Sequence, residues 1–175
     1  MKENKKPFFF ARVFADTNLY KVYISEKQIF RYGAEVVIKT EFGQDLAVIT
    51  SLKTDNEDSK EKFFDSGSLI RYATEEDKVQ RKNLDKKIVE LKAEINTLVD
   101  YLKLEMNITH VLIPLSDNSI CIYYTARGRV DFRDLLTELR NKYKIKITMR
   151  QIGPKDRSSS FLSASDLFLY NRQLR

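Results

Sequence analysis

One cysteine, one histidine, no tryptophan, five glycines and three prolines are all that 175 residues supply of these types. A lone Cys121 closes no disulfide within the chain and builds no multi-thiolate metal site. So little glycine and proline, beside 42% apolar and 11% aromatic residues, argues against long disorder. No run of eighteen apolar residues occurs, and the opening MKENKKPFFFARVF meets Arg12 and Asp16 too early for a leader. Neither membrane insertion nor secretion is expected, and a cytoplasmic location is the default. There is no glycine-rich phosphate loop, paired-histidine metal motif, nucleophile elbow or repeated cysteine spacing, so neither catalysis nor a cofactor is expected. His110, inside the apolar stretch ITHVLIP, and Cys121, with no basic neighbour to activate it, read as structural.

Thirty-one basic residues against 25 acidic ones give a net charge of +6 and a pI near 9.3. That balance favours nucleic acid or acidic partners, and an ordinary mixed-sign exterior accounts for it equally well.

Residues 8–14 and 19–25 read as strands around a turn at Asp16, Thr17 and Asn18. Residues 35–40 and 44–52 read as a hairpin joined by Glu41, Phe42 and Gly43. Four short strands in about fifty residues suggest a small barrel or strongly bent sheet, because closure removes exposed edges. No stacked aromatic cluster with basic partners is visible in them. The polar stretch 54–68 marks a boundary, with Phe63 and Phe64 expected to dock on a neighbour, and 68–73 reads as a strand feeding the next helix. The expected division is a β-rich unit with its linker over 1–67, an α+β unit over 68–157 and a tail over 158–175.

Thr74 with Asp77 makes a capping-box-like start to a helix running to about Glu105. Leu84, Ile88, Leu91, Ile95, Leu98 and Leu102 form a heptad seam along it. Packing across the second unit's sheet is preferred over pairing with another helix, since the seam is short of three to four heptads. Val99 and Tyr101 widen the apolar face, while the charged first half is narrow enough to project towards a partner. The strand at 108–114 and the alternating strand 120–125 form a hairpin. A helix follows, with Asp131 as its N-cap, Asp134 three residues on and Val130 placed to staple on Leu135. Its apolar face is Phe132, Leu135, Leu136, Leu139 and Tyr143. In the last strand Ile145, Ile147 and Met149 alternate with Lys144, Lys146, Thr148 and Arg150, which predicts a solvated basic row. Together these elements predict an α+β fold: a barrel-like or bent-sheet N-terminal part, then a sandwich with helices on one face of a mainly antiparallel sheet.

The segments TARGRVDFRDLL and ITMRQIGPKD, within Tyr124 to Asp156, resemble the signature of the polymerase-suppressor (PSP) C-terminal domain family and of its YaaT-like, or RicT-like, bacterial members. LIRYATEED at 69–77 resembles the opening of that family's long helix. The resemblance implies a non-catalytic cytoplasmic adaptor in RNA processing or turnover, acting with a ribonuclease-associated protein complex, and RNA binding by some members. It departs downstream. YaaT-like proteins carry a cysteine- and glycine-rich segment associated with iron–sulfur clusters, whereas SSSFLSASDLFLYNRQLR holds no cysteine, so no cluster is carried over. That tail is apolar enough to dock as a short helix capped by Ser165.

Candidate contacts to nucleic acid or a partner are Arg127, Arg129, Arg133, Arg140, Lys144, Lys146, Arg150 and Lys155. Arg127 and Arg129 flank Gly128 just before a helix N-terminus, where N–H groups and guanidinium groups hold phosphate well; an Asp131 cap would compete. Arg150 is equally suited to pairing with Asp131 or Asp134, and Gly153 to a positive φ at the strand end. The competing functional reading is a scaffold that pairs through the long helix and never touches nucleic acid.

Overall fold

The computed structural model describes residues 7–15, 19–24, 29–51 and 64–153. The turn at Asp16–Asn18, Phe63, Lys155 and the tail 158–175 with Ser165 lie outside the described residues.

The N-terminal strands are β1 (Phe8–Val13), β2 (Leu19–Tyr23), β3 (Glu35–Thr40) and β4 (Gly43–Ser51), as the alternation predicts. A fifth strand, β5 (Phe64–Tyr72), closes them into a barrel of order β1-β2-β5-β3-β4. Residues 68–72, expected to introduce the helix, are therefore the second half of a barrel strand, and the boundary expected at residue 67 falls inside it. β5 runs parallel to β2 and antiparallel to β3. Register shifts at Phe10/Ala11, Tyr20/Val22 and Val37/Ile38 supply the local bends that closure needs. Phe9, Ala11, Val13, Tyr20, Val22, Val36, Ile38, Ala47 and Ile49 belong to one buried cluster.

The helix α1 (Glu75–Tyr101) starts on a complete capping box: the Thr74 hydroxyl accepts from Asp77 N–H, and the Asp77 carboxylate accepts from Thr74 N–H. It ends four residues before the expected Glu105. Lys103 there takes a left-handed φ of 54° without being glycine, so no residue type announces the stop. Leu84, Leu91 and Ile95 are buried in the chain's own core, with Ile88, Leu98 and Leu102 packed beside them. The seam thus packs on the sheet. Tyr101, expected on the apolar face, is 80% exposed. The charged first half does not project, because Gln80 and Arg81 donate to the carbonyls of Leu115 and Ile113.

The second unit continues with β6 (Met106–Leu112), β7 (Ser119–Ala126), α2 (Arg133–Tyr143) and β8 (Lys146–Gln151). Its three-stranded sheet has the order β6-β7-β8. β6 and β7 are antiparallel, but β7 and β8 are parallel, which corrects the expected mainly antiparallel sheet. The reason is the α2 crossover, which returns the chain to the end of the sheet where β7 began. Helices cover one face, as expected. The other face is not solvated: Leu112, Cys121 and Tyr123 join the barrel's apolar cluster, while Ile120, Ile122 and Tyr124 pack with the helices. The β3–β4 hairpin tip completes the junction, with Ser119 Oγ donating to Phe42 O at 2.9 Å and Ser116 N–H to Gln44 O at 3.2 Å.

Candidate nucleic-acid and partner interface

Arg127 and Arg129 lie just past the C-terminal end of β7, exposed and without an acceptor among the described residues. The expected Asp131 cap does not form. The first helical turn begins after Phe132 with no side-chain cap, and Asp131 instead accepts from Arg133 N–H at 3.2 Å and from the Arg133 guanidinium. Those bonds from Arg133 hold the Asp131 carboxyl at about 2, well below the usual range. Arg133 is consequently neutralised by a residue two positions away. Arg127 and Arg129 form no ion pair among the described residues, although the charge of Arg129 adds to the lowering of Asp131.

Arg140, in the last turn of α2, Lys144, its left-handed C-cap with φ of 54°, and Lys146 are all exposed. They lie at the opposite end of the sheet. β7 and β8 run parallel with Ser119 opposite Lys146, so the eight residues of β7 separate Lys146 from Arg127. At about 3.3 Å per residue the gap is about 25 Å. The basic residues therefore form two groups, Arg127 with Arg129 and Arg140 with Lys144 and Lys146.

Arg150 belongs to neither. It pairs with Glu41 at 3.0 Å, not with Asp131 or Asp134, and its guanidinium stacks 4.7 Å from the Phe42 ring centroid. Thr148 and Arg150 are partly buried, so the solvated basic row expected on β8 shrinks to Lys146 and its neighbour Lys144. Gly153 does not take a positive φ. Its place is in the wall of an open cleft of about 780 Å³ at the C-terminal ends of β7 and β8, beside Arg127, Gln151, Ile152, Leu104, Asp100 and Glu105. The cleft thus offers one guanidinium, two carboxylates and a small apolar floor.

Three features escape the linear reading. The first is a buried charge cluster. Arg81 is 3% exposed and Asp45 2%; Arg81 Nη1 donates to Ile113 O at 2.7 Å and lies 3.4 Å from Asp45 Oδ1, while Nε donates to Asp85 at 3.0 Å. Arg81 Nη2 has no well-aligned acceptor although Asp85 is 3.0 Å away. The signal was present, because steps of four and three carried back from Leu84 reach Arg81 and Asp77, both buried. The second is the outer face of β1 and β2, where the Phe8 ring meets Phe10 at 5.6 Å and Tyr23 at 6.3 Å, under Lys21 Nζ at 4.4 Å. This aromatic and basic cluster does exist, contrary to expectation, once hairpin register sets Phe8 against Tyr23. Phe10 is only 6% exposed, so the cluster is packed in place. The third is the Glu41–Phe42 tip as partner of Arg150. His110 and Cys121 sit at the barrel junction; His110 Nε2 is 3.2 Å from Ala15 O and Cys121 is 2% exposed. An iron–sulfur cluster needs several thiolates, and one buried cysteine does not fit it.

Residues 67–152, from within β5 to just past β8, match the family described as the PSP1 C-terminal conserved region. A relative, the stage 0 sporulation protein YaaT of Bacillus subtilis (strain 168), is 42% identical over 53 residues, covering 30% of this chain and 19% of that protein. No solved structure matches.

Proposed function

Residues 67–152 match the PSP1 C-terminal conserved region, and from that match we propose a non-catalytic regulatory adaptor of cytoplasmic RNA metabolism. It binds a ribonuclease-associated protein complex and, through its basic residues, RNA. The observation that carries the reading is the pair Arg127 and Arg129, exposed and unpaired among the described residues, beside an open cleft at the ends of β7 and β8. Two exposed guanidinium groups suit phosphate or an acidic protein surface. Base stacking on the sheet is not the route, because Tyr123 and Tyr124 are 7% and 6% exposed beneath the barrel and the helices.

The test is an affinity pull-down from native cytoplasm with the full chain and with Arg127→Glu/Arg129→Glu. Retention of a ribonuclease and RNA by the natural chain, reduced in the variant, is the expected result. RNA affinity should fall by about tenfold or more as salt rises from about 50 to about 200 mM. Absence of RNA affinity at the lower salt overturns direct RNA binding; absence of any specific protein overturns the adaptor.

A further inference from the structure

The two edges of the three-stranded sheet are finished differently. Along β6 and the residues after it, α1 supplies donors to the strand's carbonyls: Lys92 Nζ to Thr109 O at 2.9 Å, Arg81 Nη1 to Ile113 O at 2.7 Å and Gln80 Nε2 to Leu115 O at 2.7 Å. Those acceptors are taken. The barrel is closed and has no edge.

Among the described residues β8 has no such cover. It pairs with β7 on one side only, from Ser119↔Lys146 to Tyr124↔Gln151. Ile152 N–H donates to Tyr124 O, so the even-numbered residues of β8 turn their backbone groups to β7. The period of two then turns the N–H and C=O of Ile147, Met149 and Gln151 outward. None of these has a partner among the described residues. A row of open donors and acceptors is a template for one more strand.

The charge beside this edge selects what adds to it. Lys146 on the strand, Lys144 before it and Arg140 in the last turn of α2 are exposed, with no acceptor among the described residues. A second copy of this chain fits badly. The exposed basic residues beside each copy's edge and the net charge of +6 oppose the approach. Lysine on an open edge guards against self-pairing, and the same charge attracts carboxylates.

We propose that the free edge of β8 docks an extended acidic segment of a partner protein, which adds as a fourth strand and sets its carboxylates against Arg140, Lys144 and Lys146. This deepens the adaptor reading and rests on it.

The probe is a short synthetic peptide of alternating glutamate and valine, added to the full chain while backbone amide exchange is followed residue by residue. Exchange at Ile147, Met149 and Gln151 should slow by roughly tenfold or more, with Thr148 and Arg150 unchanged. A peptide with lysine in place of glutamate should give no protection. Met149→Pro removes one outward donor and no bond to β7, a position where an edge strand accepts proline, and should abolish the protection. Lys144→Glu/Lys146→Glu leaves the backbone untouched and should weaken peptide binding by roughly tenfold. The proposal is overturned if the glutamate peptide protects nothing, if the lysine peptide protects equally, or if protection arises without peptide and grows with protein concentration, which assigns the edge to a second copy. A pull-down partner retained equally by natural chain and variants leaves the adaptor standing and removes this edge from it. Protection by the peptide with no partner retained from cytoplasm does the reverse.

Discussion

Arg81 shows how one residue joins three elements. Its side chain leaves α1, meets Asp45 of β4 and donates to Ile113 O past the end of β6. Two buried charges gain little over an apolar pair of the same shape, but removing one leaves the other uncompensated. Arg81→Met alone should therefore cost about 3–5 kcal/mol, and Arg81→Met with Asp45→Leu should recover most of it. Urea unfolding of the singles and the double closes the cycle; additive costs would mean that the two side chains do not act as a pair. His110 provides a pH-dependent case. Burial lowers its pKa below 6.5, the bond to Ala15 O opposes this, and the charges of Lys92 and Arg81 add to the lowering. A carbonyl only accepts, so Nε2 carries the proton of the neutral ring. With the folded pKa depressed, the stability contribution is complete above 6.5 and is lost as pH falls through the folded value. Stability should decline from pH 6.5 downward in the natural chain and stay flat to about pH 5 in His110→Gln, ahead of carboxylate titration. Denaturant midpoints across that range decide it, and an equal decline in both chains would trace the effect to another group. Arg81 was legible in the heptad steps, whereas the register that brings Ala15 to His110 is not written near either residue.

Among the elements, the β3–β4 hairpin does more than reverse the chain. Gly43 has a φ of +138°, and a Cβ there would stand 2.6 Å from Ser116 Oγ. The sequence supports a glycine in this turn on conformational grounds, but the close approach of the β6–β7 loop is a second demand that only the packed structure imposes. Gly43→Ala should destabilise by about 2 kcal/mol, and adding Ser116→Ala should return only the steric part. Full recovery in the double variant, read by thermal unfolding, would show that the backbone angle costs nothing. The helices divide in the same way. Thr74 with Asp77 is a local signal and forms as read, because its partners are three residues apart. Asp131 lies one residue before the cap position, which Phe132 takes, and its carboxylate accepts from both the N–H and the guanidinium of Arg133. Where the first turn closes is set by the backbone there, to which spacing rules are blind.

At the scale of the whole molecule, barrel and helix-backed sheet share their interiors. Val37 of β3 lies in the core formed by α1, α2 and the sheet, and Leu112, Cys121 and Tyr123 lie in the barrel's core. Two units that bury apolar surface in each other should unfold together. Far-UV circular dichroism, dominated by α1, and the near-UV signal of tyrosines such as Tyr20 and Tyr123 should give one midpoint in urea; two separated midpoints would make the barrel an independent domain. The sequence by itself determined the elements, the closed-barrel tendency of the first fifty residues, the inward seam of α1 and the family signature, because periodicity, caps and turns act over a few residues. Only the tertiary structure decided that β5 closes the barrel, that β8 lies parallel to β7 with its other edge unpaired among the described residues, that Arg150 is held by Glu41, and that the basic residues fall into two groups about 25 Å apart. Each of those depends on which distant strand lies alongside which, and the free energy that selects the pairing comes from apolar surface buried between segments far apart in the chain.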